Sequence, residues 1–413
     1  MRRDAPDPER KGTFLNFSSE RNDSCPAPTY QQSAARIFLA FLRLGLTAFG
    51  GPAMVAYIGD LAVARKQWLS GESFREGVGL CQSLPGATAM QTAAYAGLRA
   101  GGLGGGVAAY VGFGLPAFLL MLALSIVYGE ARDVKLVVSV FRGLQVIVVA
   151  IVANATVNFG RASLATWRDG LLAAVGAVYL LAGGSPILVV AGAAAAGLLL
   201  CRKGESEAAS PAPVGAPAGR GVREAAILIA LAVAGLGVLR ALNENLFSLA
   251  EVMLKVDLFA FGGGFASLPI MLHQVVEVRH WMDARTFLDG IALGQVTPGP
   301  IVITATFIGY QVGGLAGALV ATLAIFTPSF IVLVVAVPYL DTLRRSPLFH
   351  RALRGILASF VGLLLAVTLH FSGSVQWGLT TATVCAIAFA ALRLRVDLLW
   401  VVLGGIAVSA AFL

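Results

Sequence analysis

The chain has 413 residues, 57% of them hydrophobic and only 13% charged, against about 25% charged in an average soluble domain. That balance excludes a soluble globular protein and identifies an all-α polytopic membrane protein embedded in a lipid bilayer. The net charge of +8 is scattered between apolar runs rather than gathered with aromatics on a polar face, which excludes nucleic acid as a partner. The four cysteines form no C-x-x-C and the four histidines no H-E-x-x-H, so no disulfide framework, metal or cofactor is indicated.

In chain order, residues 1–33 are polar, Pro-rich and without apolar periodicity, the pattern of a disordered cytoplasmic tail rather than a signal peptide. A bilayer crossing takes about 20 apolar residues, fewer where a helix is broken. Six such segments follow, near 34–58, 73–98, 104–128, 137–159, 169–183 and 185–200. Residues 201–223, rich in Pro, Gly, Ser and charge, read as a flexible cytoplasmic linker. An extra connecting helix occupies 224–246, with its apolar core over 224–242, and further segments lie near 247–270, 286–310, 314–339, 355–371, 376–392 and 397–413. The expectation is about 13 transmembrane segments.

Residues 34–200 and 247–413 are copies of one another. Phe49-Gly50-Gly51-Pro52 matches Phe261-Gly262-Gly263-Gly264, and Gln82 with Pro85-Gly86-Ala87 matches Gln295 with Pro298-Gly299-Pro300. Trp68 matches Trp281, Pro116 matches Pro328, and Arg142-Gly143 matches Arg354-Gly355, all at separations of 212 or 213. So many scattered matches at one offset make the half-chain the structural unit. Proline and glycine at these positions also forbid unbroken helices there. Lys and Arg in short loops favour the cytoplasm, and they place the tail, the linker and the loop with Arg344 and Arg345 on one side. The connecting helix then flips the second copy, so the two are inverted-topology repeats with broken helices, an arrangement that in secondary transporters builds a site at the midplane.

Taken together, these motifs resemble those of the chromate ion transporter family, in its long two-domain form, over nearly the whole chain from about Ala34 to Leu413. The resemblance implies export of chromate from the cytoplasm across a bacterial inner membrane, conferring resistance, with sulfate as the close structural analogue. Sulfate or another oxyanion as the cargo, and a passive anion channel, are the neighbouring alternatives. A membrane-embedded enzyme is disfavoured, because no nucleophile-base pair or metal-ligand set lies at membrane depth. The oligomeric state is open, a homodimer being one admissible assembly.

A tetrahedral dianion in a low-dielectric site needs positive charge and donors on several sides. Arg43 and Lys255 are equivalent, each six residues before its Phe-Gly-Gly element and each within an apolar run, where an ionisable group is a functional candidate. Lys255 could alternatively pair with Glu251 one turn back. Gln82 and Gln295 offer amide donors beside the breaks. Gly50, Gly51, Pro85, Gly86, Gly262, Gly263, Pro298 and Gly299 form the breaks, whose following helices present free N–H groups. Asp257, Glu76 and Asp289 are the acids placed to couple transport to an ion. Trp68, Trp281, Arg142 and Arg354 read as interface anchors.

Overall fold

In the computed structural model, residues 32–48, 53–131, 134–200 and 218–412 are described. The tail, most of the linker and the Phe49-Gly50-Gly51-Pro52 element, with its two candidate glycines Gly50 and Gly51, lie outside the described residues. All regular structure among the described residues is helical. The first repeat comprises α1 (Ala34–Thr47), α2 (Ala53–Gly59) with a π-helical extension Asp60–Arg65, α3 (Gly71–Ser83), α4 (Thr88–Ala131), α5 (Lys135–Ser163), α6 (Trp167–Leu181) and α7 (Pro186–Leu200). The connecting helix α8 (Ala218–Leu242) leads into α9 (Glu244–Phe259), α10 (Ser267–Leu272) with a π-helical extension His273–Val278, α11 (Ala284–Val296), α12 (Thr304–Ala336), a short α13 (Leu340–Arg345), α14 (Pro347–Ser374), α15 (Leu379–Arg393) and α16 (Leu398–Phe412). The π-helical stretch recurs at the same place in both copies.

Among the described residues, five helical stretches are long and apolar enough to cross a bilayer: Thr88–Glu130, Val137–Ser163, Gly221–Leu242, Ile301–Tyr339 and Pro347–Ser374. The segments broken by Pro and Gly behave differently, because they fold back. Tyr95 Oη lies 3.2 Å from the Ser73 carbonyl oxygen, to which it donates, so α3 and the start of α4 run antiparallel about the break at residues 84–87. In the second copy Gly290 faces Phe307 in the same way. Likewise Trp68, after α2, packs on Phe41 of α1 at 6.3 Å between ring centroids, and Arg279, after α10, reaches Glu251 of α9 at 3.8 Å. The stretches 34–58, 73–98, 247–270 and 286–310, each counted as a single crossing in the sequence, are thus helix pairs that enter and return.

Both α4 and α12 also reverse direction. Gly102 at φ +62° and Gly314 at φ +59° supply left-handed turns that a side chain adopts only with strain. Beyond each turn the limbs are almost in backbone contact: a methyl on Gly97 would strike the Gly105 carbonyl, and one on Gly309 the Gly317 carbonyl. Thr306 and Thr322 meet across the second hairpin at 2.7 Å. Small residues allow this approach where lipid supplies no hydrophobic drive for helix association.

The repeats are intertwined rather than side by side. Helices α6 and α7 pack on α14 of the other copy, α15 and α16 pack on α5, and α5 crosses α14 with Thr156 and Thr368 in contact at 3.3 Å. One face of the bundle carries Gln32, whose N–H donates to the Ala100 carbonyl at 2.9 Å. It also carries the end of α7, where Arg351 donates to the Leu198 carbonyl, and the start of α8, where Gly221 abuts Pro338. The opposite face carries the end of α14, where Ser374 O accepts from Arg285 Nε at 3.3 Å. The second copy is therefore inverted relative to the first. Helix α8 is the outlier of the bundle, with only 6% of its apolar window buried, a surface made for lipid.

Two outcomes check this architecture. Gly105→Val should abolish the hairpin by overpacking a backbone contact, at about 1–3 kcal/mol or more, so that little monodisperse protein survives detergent extraction. Gly104→Val, where a side chain meets nothing within 4 Å, should extract normally. Reporters placed after Leu200 and after Phe412 should read opposite sides of the membrane, since α8, α12 and α14 are the three crossings between them; a common side would refute the inverted arrangement.

Candidate functional site

The breaks of the two copies meet in crossed pairs. Gly86 N–H of the first copy donates to the Ala260 carbonyl of the second at 2.9 Å, and Gly299 N–H donates to the Ala48 carbonyl at 3.2 Å. Pro85 and Phe261 form an isolated antiparallel bridge. Gly86 at φ +109° and Gly299 at φ +119° take a conformation side chains avoid, and neither has room for one: a methyl on Gly86 would strike Ser329 Cβ, and one on Gly299 would stand 2.7 Å from Ala117 Cβ. Gly263 approaches Thr88, and Gly264 approaches Ile301. Each Pro-Gly loop is thus stitched by its backbone to the chain that follows α1 or α9 of the other copy. Irregular backbone at bilayer depth persists only where it is buried in protein or lines a cavity.

The two crossed junctions differ chemically. At the first, Asp257 of α9 is fully buried, with Oδ2 accepting from Ser329 N–H at 2.7 Å and Oδ1 accepting from nothing. Tyr110 Oη contacts Ser329 Oγ at 2.9 Å and donates to the Phe326 carbonyl at 2.9 Å. Gln91 Nε2 donates to the Pro85 carbonyl at 2.7 Å, with the Ser329 carbonyl at 3.3 Å. At the second junction the equivalent positions carry Gly45 for Asp257, Ala117 for Ser329 and Thr322 for Tyr110. Gln91, Tyr110 and Ser329 escaped the sequence reading because each is a single polar residue in an apolar run. The signal that could have found Tyr110 and Ser329 is the contrast between copies, which puts Thr322 and Ala117 at the matching positions.

The remaining sequence-selected residues fall in three groups. Arg43 is exposed and lines a cleft of about 1070 Å³ between α1 and α2 with Arg36, Arg65, Lys66 and Thr47. Asp60, the one acid there, is held by Arg65 at 2.6 Å, so the cleft keeps an excess of positive charge. Lys255 instead donates to Glu251 at 2.7 Å, the structural pairing its spacing allows. Gln82 is exposed, whereas Gln295 is half-buried and its Nε2 is enclosed with no protein acceptor, leaving a donor available beside Pro298 and Gly299. Gly262, beside Gly263 in the second break, is closed in by Phe159 and Leu357.

Of the acids, Asp289 is buried and satisfied on both oxygens, by Tyr128 Oη at 2.9 Å and Gln145 Nε2 at 2.7 Å, whereas its counterpart Glu76 is half-buried on α3. Two expected interface anchors have other roles. Trp68 is buried against Phe41. Arg354 forms a fork with Asp169 of the other copy, at 3.0 and 3.2 Å, and Asp169 also caps α6 through Thr166 N–H at 2.8 Å. Among the described residues no group of His, Cys, Asp and Glu could hold a metal ion.

A family model described as a chromate transporter matches the chain twice, over residues 35–198 and 247–410. The chain belongs to the chromate transporter family. A chromate transport protein of Cupriavidus metallidurans is 32% identical over 81% of this chain and 81% of its own length, and one of Pseudomonas aeruginosa is 32% identical over 89% and 88%. An uncharacterized transporter of Methanocaldococcus jannaschii is 42% identical over 90% of this chain and 92% of its own. No solved structure matches. This chromate transporter is a multi-pass membrane protein of a transport family rather than an enzyme family, and its two family matches coincide with the copies whose breaks cross at the junctions.

Gly86→Ala adds a methyl where both φ and space forbid it, so it should lower the melting temperature of the purified transporter by the equivalent of more than about 1 kcal/mol and abolish transport. An unchanged melting temperature would show the junction to be looser than drawn.

Proposed function

We propose that this chromate transporter carries chromate out of the bacterial cytoplasm across the inner membrane, thereby conferring resistance. The observation that carries this reading is the basic cleft bearing Arg43 on the face that holds Gln32 and the end of α7, because it is lined by the end of α1, whose following Ala48 carbonyl accepts from Gly299. The Lys and Arg excess of the tail and linker assigns that face to the cytoplasm. Arg36, Arg43, Arg65 and Lys66 then raise the local concentration of a dianion by electrostatic focusing. Deeper in, the enclosed Gln295 amide and the N–H groups that open α4 and α12 at the breaks orient it. Lys255, spent on Glu251, contributes potential rather than a direct bond. Sulfate, of the same charge and shape, is the competing cargo at every one of these groups.

The test is uptake of labelled chromate into inside-out vesicles, with sulfate as competitor. Arg43→Met should weaken apparent affinity about 10- to 100-fold, the worth of a charge-assisted hydrogen bond of about 1.5–3 kcal/mol, while Lys255→Met should cost less. Arg43→Lys should be milder than Arg43→Met if charge alone matters, and equally damaging if the guanidinium fork binds two oxygens. Equal rates in vesicles with and without the transporter would defeat the reading.

A further inference from the structure

The polar junction holds two buried oxygen atoms with no donor. Asp257 Oδ1 and Gln91 Oε1 both belong to residues with no exposure, come from opposite copies, and flank Ser329. The Gln91 amide is oriented by its surroundings, since its nitrogen faces two carbonyl oxygens, Pro85 O and Ser329 O; its oxygen is therefore left as an acceptor. A buried acceptor left unsatisfied costs about 1–3 kcal/mol, and a buried unpaired carboxylate costs far more.

Among the described residues no cation answers that carboxylate. Lys255 on the same helix is turned to Glu251, and α10 and the part of α12 around Ser329 carry no ionisable side chain. α8 bears its charges only near its ends. From the first copy, Tyr110 on α4 faces Asp257, and the buried Cys81 on α3 lies within electrostatic reach of Tyr110. Both are neutral in their ordinary form. Gly86 comes close to Oδ1, since a methyl added to it would stand 3.0 Å away, and a proton is a counter-charge that needs no further space.

We propose that Asp257 carries a proton when this junction is closed, and that binding of the oxyanion and binding of this proton favour one another, so that the two move through the transporter together. The inference rests on the reading of the breaks as the oxyanion site. An ionised Asp257 would repel a dianion near the breaks through the low-dielectric protein between them, whereas the neutral acid would not. Linkage makes the effect reciprocal: whatever protonation does for anion affinity, the anion does for protonation. The step is a simple transfer, in which an O–H bond forms at Oδ1 with a proton from water on one side and breaks to water on the other. Because the second junction has Gly45 and Ala117 at the matching positions, each chain has one such site.

Calorimetric titration of the purified transporter with chromate and with selenate, a tetrahedral dianion that stays unprotonated near neutral pH, reads proton uptake from the dependence of heat on buffer ionisation. The wild type should take up protons, approaching about one per anion, and bind more tightly as pH falls. Asp257→Asn, the shape of the neutral acid, should bind with no uptake and with little pH dependence for selenate. An infrared carbonyl band of a protonated carboxylic acid, appearing in the ligand-free wild type as pH is lowered below the range where anion binding takes up protons and missing in Asp257→Asn, should report the same proton without any ligand, which keeps the test alive if the variant binds poorly. Failure of the wild type to bind either anion would overturn the oxyanion reading, and this inference with it. Anion binding without proton uptake, or a wild type lacking that infrared band, would overturn this inference alone.

Discussion

Two backbone hydrogen bonds that cross between the copies, Gly86 N–H to Ala260 and Gly299 N–H to Ala48, are the constraint on which the rest of the transporter depends. Non-helical backbone inside a bilayer has no water to satisfy it, and an unpaired group there costs several kcal/mol. Each break solves this by borrowing a carbonyl from the opposite copy. Neither repeat is complete alone, and the pairing of α6 and α7 with α14, and of α15 and α16 with α5, follows the same exchange. The Arg354–Asp169 fork adds a charged tie in the same sense.

Duplication and inversion provide two equivalent frameworks, and their side chains have diverged. The first copy contributes the exposed cationic cleft around Arg43, while the equivalent Lys255 is neutralised by Glu251. The second copy contributes Asp257 and Ser329 to one junction, while the other is lined by Gly45 and Ala117. Asp169 similarly pairs with Arg354, whereas the matching position in α15 is Thr381 and the matching Arg142 is exposed. A symmetric frame with asymmetric chemistry suits a carrier whose cargo and counter-charge need different surroundings on one path.

Re-entrant hairpins explain why the tail face and the far end of α16 fall on opposite sides although fewer helices cross than there are apolar segments. A hairpin that enters and returns leaves the parity of the chain unchanged. The inversion needs only an odd number of crossings between equivalent points, and α4, α5 and α8 supply it between α1 and α9.

From the sequence alone, composition established the membrane class, the 212- to 213-residue offset established the two copies, and Pro and Gly located the breaks that fall among the described residues, because these properties are local to a segment or to its twin. Arg43 and Asp257 were legible as candidates, being ionisable groups inside apolar runs, but the exposure of the one and the burial of the other were not. Only the tertiary structure decided that the broken segments return rather than cross, that Lys255 is spent on Glu251, that Trp68 is core, and that Gln91, Tyr110 and Ser329 gather around Asp257. The gathering around Asp257 depends on contacts between residues 72 to 238 positions apart, and the others on which of several nearby partners a side chain takes or on the direction of the chain after a break. Hydropathy cannot report either, since an apolar helix that turns back at mid-depth has the same composition as one that goes through.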